Sequence, residues 1–161
     1  MTKKSPEQPL DAPAGTTWYG GPIEWFSVSL RLYGDDLIPG SISELLDISP
    51  NTSTTKGELV RDKTGNQSRL SRIGSWIISL EKEDTDQRTC DTAIKELLNR
   101  VNHDEGIWNL ITERFSVDLP IGLVLQSNNK GLQLEAKTLK IISSMNIPVG
   151  FDIYYEEMKN A

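Results

Sequence analysis

Two stretches of this chain alternate apolar and polar residues with period two, and they constrain the fold more than any other feature. In the first, Phe26, Val28, Leu30 and Leu32 alternate with Ser27, Ser29, Arg31 and Tyr33. In the second, Phe115, Val117, Leu119, Ile121, Leu123 and Leu125 occupy every other position. Successive side chains on a strand point to opposite faces, so each stretch makes one dry face and one wet face. Residues 75–81 add a third strand, with Trp76, Ile78 and Leu80 on one face and Ile77 on the other, a pattern that predicts cover on both sides. Residues 149–156 add a fourth, with Val149, Phe151, Ile153 and Tyr155 set against Gly150, Asp152, Tyr154 and Glu156. Pro120 has no amide to donate, which predicts that its strand lies at an edge or carries a bulge.

Helical spacing fills the intervals. After the turn at Gly34-Asp35-Asp36, the run Ser41-Ile42-Ser43-Glu44 reads as a capping box, with Ile42, Leu45 and Leu46 as its apolar stripe and Ile48 and Pro50 as its close. Residues 86–102 form the most regular helix, with Asp84 and Gln87 at its cap. Its stripe is Cys90, Ile94, Leu97, Leu98 and Val101, and His103 falls at its end. A shorter helix over 107–114 turns Ile107, Leu110 and Ile111 inward. A last helix over 135–145 carries Ala136, Leu139, Ile142 and Met145 on one side, with Asn146 in the left-handed cap position and Pro148 beyond it.

These elements fall into two halves, strand–helix–strand over 26–81 and again over 115–156, each opening on a similar pentad, FSVSL and FSVDL. The pattern predicts an α+β two-layer sandwich of ferredoxin-like type. It has two β-α-β halves, with the helices packed on one face of a mainly antiparallel sheet. Residues 1–24, polar and proline-bearing, read as a flexible tail, and 25–157 as a single domain. Between the first helix and the third strand lies a polar stretch, 51–74. Leu59-Val60 suits a short strand there and Lys63-Thr64-Gly65-Asn66 a turn. Loops of that length are uncommon in compact domains unless they carry function.

Charge narrows the function. The net charge of −6 argues against nucleic acid as a partner, because phosphate binding needs a dense positive face. Residues 51–73 nevertheless carry a net +3, and residues 81–105 a net −4. This asymmetry is either two solvated surfaces or a dipolar surface that steers a charged partner. No apolar run approaches the ~20 residues of a membrane span, and the N-terminus has no apolar core of a signal peptide. The single Cys90 allows no internal disulfide and points to a reducing cytoplasm.

The run FSVSLRLYGDDLIPGSISELLDISP, with Lys56-Gly57-Glu58, Gly74-Ser75-Trp76 and the closing GLQLEAKTLKIISSMNIPVGFDIYY, resembles a bacterial domain-of-unknown-function family, number 4279, over about Trp25 to Glu156. One departure is Ile38 before Pro39, where many members place an acidic residue. The family has no assigned activity. Its size, acidity and company resemble those of small cytoplasmic immunity proteins of bacterial toxin systems, and that resemblance implies a binding role against a toxin-like protein partner.

The residues themselves hold no catalytic signature. With one histidine, a nucleophile–histidine site must use His103. There are too few Cys and His for zinc, and no phosphate-loop or zincin motif is present. The reading is therefore non-enzymatic, with no cofactor and no metal. Paired carboxylates meeting in space remain the one catalytic alternative, and Asp35-Asp36 reads as a solvated turn. The most suggestive group is Lys56, Glu58, Arg69, Arg72 and Trp76, cations on a long loop beside a tryptophan, suited to a carboxylate, a phosphate or an acidic protein surface. The structural alternative puts Trp76 in the core, Glu58 on a neighbouring cation and the rest in solvent. Two function classes stand: a cytoplasmic protein that blocks a protein partner, and a small-molecule-binding or hydrolytic domain with a pocket near 51–73. Monomer and homodimer both stay open.

Overall fold

The computed structural model describes residues 23, 25–61, 68–84, 89–125 and 130–155. Gln87, the turn read at 63–66 and most of the N-terminal tail lie outside them. The elements run β1 (Trp25–Gly34), α1 (Pro39–Leu46), β2 (Thr52–Thr54), β3 (Leu59–Arg61), β4 (Ser68–Leu70), β5 (Gly74–Asp84), α2 (Cys90–Leu98), α3 (Glu105–Arg114), β6 (Ser116–Leu125), α4 (Ala136–Ser144) and β7 (Val149–Tyr155). Five strands make one sheet in the order β2-β5-β1-β6-β7, and β3 with β4 makes a separate ribbon. β1 is antiparallel to β5 and to β6, β2 is antiparallel to β5, and among the described strands only β6–β7 is parallel. The class is α+β with a mainly antiparallel open sheet.

The period-two pattern decides which face is covered. Phe26, Val28, Leu30 and Leu32 of β1, Trp76, Ile78 and Leu80 of β5, and Val117, Leu119, Ile121 and Leu123 of β6 are all buried in one cluster. Ile94, Leu97, Leu98, Trp108, Ile111 and Ile142 of the helices join it. At ~25 cal/mol per Å² of apolar surface, each fully buried large side chain contributes about 1.5–3 kcal/mol. The alternate residues Ser27, Ser29, Arg31, Tyr33, Ile77, Ser79, Asp118 and Val124 are only half-buried. They form an open polar face, so Ile77 does not mark a strand covered on both sides.

The two halves are not a repeat. β1 and β5 are antiparallel neighbours, whereas β6 and β7 are parallel neighbours, so the halves differ in strand direction. The strand that α1 leads into is β2, three residues of threonine and serine with no periodic signal. Pro120 sits on an inner strand without a bulge. The β1–β6 pairing passes from Val28–Ile121 to Arg31–Asp118 in one register, with the gap opposite Pro120, where a donor is missing.

Helix boundaries shift for local reasons. Pro39 needs no hydrogen-bond partner for its nitrogen, and α1 starts there with Ile38 as a cap that supplies no side-chain bond. The box at Ser41–Glu44 is therefore interior. α1 ends at Asp47, which takes the left-handed conformation with φ 56°. β5 runs on to Asp84, and α2 begins only at Cys90, capped by the Thr89 hydroxyl on the Thr92 amide at 3.2 Å. α3 is capped by Asp104 on the Ile107 amide at 3.0 Å and buries Trp108 and Ile111, while Leu110 points to solvent. Leu45 and Leu139 are likewise exposed, and Thr138 is buried in α4 with Ile142. Asn146 takes the expected left-handed cap, with φ 53°.

Candidate functional site

The open face ends in a cavity under the β3–β4 ribbon. β3 pairs with β4 through Leu59–Leu70, Val60–Arg69 and Arg61–Ser68. The ladder extends through Gly57 N–H to Ser71 O and Ser71 N–H to Glu58 O, both at 2.8 Å. The turn into it needs Gly57, whose φ of 83° a side chain would oppose. Folded back this way, the ribbon lies over the Tyr33–Ser75 end of the sheet. Between them is a cavity of about 740 Å³ lined by Tyr33, Thr54, Val60, Arg69, Leu70, Ser71, Arg72, Ile73 and Ser75.

Its floor is a short hydroxyl chain. Thr54 Oγ1 lies 2.8 Å from Ser75 Oγ and 3.3 Å from Ser71 Oγ, and the Ser71 hydroxyl donates to Ile73 O at 2.7 Å. Strand register makes this chain: Thr54 pairs with Ser75 across β2–β5, and Tyr33 pairs with Ser75 across β1–β5. Arg69 and Arg72 are exposed on the rim and make no ion pair with any described residue. Beside them Leu59, Leu70 and Ile73 are exposed at 60, 64 and 39 %. Exposed apolar side chains beside two guanidinium groups that make no ion pair with described residues suit a carboxylate- or phosphate-bearing surface.

Of the five residues singled out in the sequence, the cavity gathers Arg69 and Arg72. Trp76 is wholly buried on the opposite face of β5, where its indole donates to Ser43 Oγ at 3.0 Å, and it has no part in the cavity. Lys56 pairs with Asp35 of the β1 turn. Glu58 Oε2 accepts from the Thr55 amide at 2.8 Å and closes the turn before β3. Period two explains the split. Residues 75 and 76 point to opposite faces, so closeness in sequence placed the tryptophan beside arginines it does not meet. Tyr33, Thr54, Ser71 and Ser75 went unread; the signal for Tyr33 and Ser75 was their place on the wet side of β1 and β5.

Elsewhere on the open face, Arg31 and Asp118 face each other across β1–β6 in a two-point ion pair of 2.9 and 2.6 Å. Arg31 also stacks over the Tyr33 ring at 5.8 Å. The guanidinium is thereby committed to the sheet. At the turn, Asp36 accepts from Arg114 Nε at 3.0 Å and Nη2 at 2.6 Å. That contact holds the Asp36 carboxyl below its ordinary range. Both turn aspartates are thus tethers, one to the ribbon's approach and one to α3. His103 Nε2 donates to the Leu98 carbonyl at 2.9 Å, at the C-terminal end of α2. Among the described residues no three of His, Cys, Asp and Glu converge as a metal site, and no helix is long and apolar enough to cross a membrane.

The molecule is thus an α+β protein of one helix-backed sheet, with an open polar face and an arginine-rimmed cavity at one end. It belongs to the family described as Domain of unknown function (DUF4279), whose model matches residues 23–156. Neither a curated protein nor a solved structure matches the chain.

Proposed function

We propose that this is a non-enzymatic binding protein that holds an acidic partner protein through the β3–β4 ribbon and the adjoining end of the open face. The observation that carries this reading is the pair Arg69 and Arg72, without ion pairs to described residues and flanked by exposed Leu59, Leu70 and Ile73. Protein interfaces draw most of their affinity from a few arginine and apolar anchors inside a polar rim. The excess of positive charge over 51–73, set against a net −6 for the chain, orients an approaching partner. In its specific form the proposal is a cytoplasmic immunity protein that blocks a bacterial toxin, as the family resemblance suggests. A ferredoxin-like reading of the fold goes with it. It is supported by the spatial order β2-β5-β1-β6, with β5 between β1 and β2, and by α4–β7 as an added unit at the edge.

The test is charge reversal. Arg69→Glu with Arg72→Glu abolishes capture of the partner from source-cell lysate. The melting temperature stays within about 2 °C, because exposed substitutions cost little. Arg100→Glu, in the turn just past α2, leaves capture intact. Undiminished capture by the double variant removes the ribbon from the account.

A second reading has its own observation. The cavity's volume lies in the ~300–1,000 Å³ range of small-molecule sites, and its hydroxyls and guanidinium groups suit a small polyanion. In that case pyrophosphate or citrate raises the melting temperature of the wild type and not of the double variant. A hydrolytic version needs a general base, and the described lining residues offer no carboxylate, imidazole or thiol.

A further inference from the structure

The two edges of the sheet are built differently. β2 is three residues long and polar, a short edge that offers little to pair with. β7 is seven residues long and has no lysine, proline or bulge in its described span. Its residues stay open to solvent: Phe151 at 49 %, Ile153 at 61 %, Tyr154 at 53 % and Tyr155 at 57 %. Phe151, Ile153 and Tyr155 lie beside Ile121, Leu123 and Leu125 of β6, on the face where the helices pack. The sheet's apolar face therefore runs on past its cover. A long bare edge with an apolar face is a template for another strand.

We infer that β7 is a homodimer interface, in which two copies pair their β7 edges antiparallel about a two-fold axis at Ile153. The sequence of the strand is its own complement in that register. Ile153 meets Ile153 of the second copy. Phe151 meets Tyr155, an aromatic pair on the helix side, and Asp152 meets Tyr154 on the open side. Such cross-strand apolar and aromatic pairs stabilise a sheet, whereas like charges directly opposite do the reverse. Tyr154 already donates to Asp152 at 2.5 Å within one strand, which shows that the two groups reach each other on that face. Centring the axis on Asp152 instead sets two carboxylates face to face. The Ile153 register joins two five-stranded sheets into one, with both helix layers on one side and both open faces on the other. It leaves the arginine ribbons away from the new junction, so this inference stands apart from the binding role proposed above.

Cysteine cross-linking tests the surface and the register together, because Cys90, the one native cysteine, is buried. Sedimentation of the full chain from micromolar to submillimolar concentration gives twice the chain mass, and Ile153→Lys, at an exposed position, gives the single mass with unchanged circular dichroism. Oxidised Ile153→Cys runs as a disulfide-linked dimer. Phe151→Cys does not, since its sulfurs lie about four residues apart along the paired strands, ~14 Å. A wild type that stays single throughout overturns the inference, whatever else covers the edge. An Ile153→Lys variant that stays dimeric, or equal cross-linking of both cysteine variants, overturns it as well.

Discussion

Asp91 joins two helices that lie far apart in the sequence, α2 and α4, and its replacement tests how the helix layer is held. Its carboxylate, 5 % exposed, accepts from the Glu135 amide at 2.9 Å and pairs with Lys95 at 2.9 Å, while Lys95 also reaches Glu135 at 3.1 Å. Glu135 is the cap residue of α4 and supplies no side-chain bond of its own, so the α2 aspartate caps α4 from outside. Burial pushes the Asp91 carboxyl up. The Thr138 hydroxyl, the Glu135 amide and Lys95 together outweigh burial and hold it below its ordinary value. Thr138 Oγ1 is buried and makes no hydrogen bond to a described residue.

Hydrogen bonds to charged groups contribute about 1.5–3 kcal/mol each. Asp91→Ala removes one such bond, from the Glu135 amide, and a partly solvent-exposed pair with Lys95 that contributes ~0.2–1 kcal/mol; it therefore costs about 2–4 kcal/mol, or ~5–15 °C in melting temperature for a chain of this size. Asp91→Asn keeps an acceptor for the amide and costs about 1–2 kcal/mol by the same reckoning. A depressed folded value means that the carboxylate stabilises above its unfolded value, ~4, and loses that contribution as pH falls through the lower folded value. Denaturant titrations of wild type and Asp91→Asn at pH 7 and about pH 2 should show the gap closing in acid. A gap that does not change with pH, or an alanine cost under ~0.5 kcal/mol as for an ordinary surface pair, refutes the reasoning.

Two other perturbations probe the interior. Trp76→Ala empties the centre of the core and costs about 3–5 kcal/mol, whereas Ser43→Ala strands the buried indole N–H, removes the hydroxyl's bond to Pro39 O and costs about 1–3 kcal/mol; equal costs from chemical denaturation would contradict this placement. Burial, with a smaller push from Asp91, raises the Cys90 thiol to about 12. Iodoacetamide at pH 8 should leave it unlabelled in the native protein and label it fully in denaturant, and prompt native labelling would show that the sulfur is accessible.

Strands showed themselves in the sequence where their two faces meet different surroundings. β1 and β6 alternate cleanly because helices cover one side and solvent the other. β2, β3 and β4 are three residues each, too short for a period, so within 51–74 the sequence suggests a strand only at Leu59-Val60, where β3 lies, and shows neither the edge strand β2 nor β4. α3 misled because Leu110 is apolar yet exposed, and Trp108 takes the inward place. β7 alternates as a covered strand does, but the helices stop short of it. For the site, charge alone picked out Arg69 and Arg72. The hydroxyls of Thr54, Ser71 and Ser75 converge only through sheet register and the fold of the ribbon, neither of which a linear reading contains.

Hydrogen exchange of the protein with and without its captured partner tests the binding account most directly. The account predicts slowed exchange over residues 57–61, 68–75 and the Tyr33 end of β1, with α2 and α4 unchanged. Protection confined to α2, α3 or α4, with the ribbon exchanging as before, would contradict it.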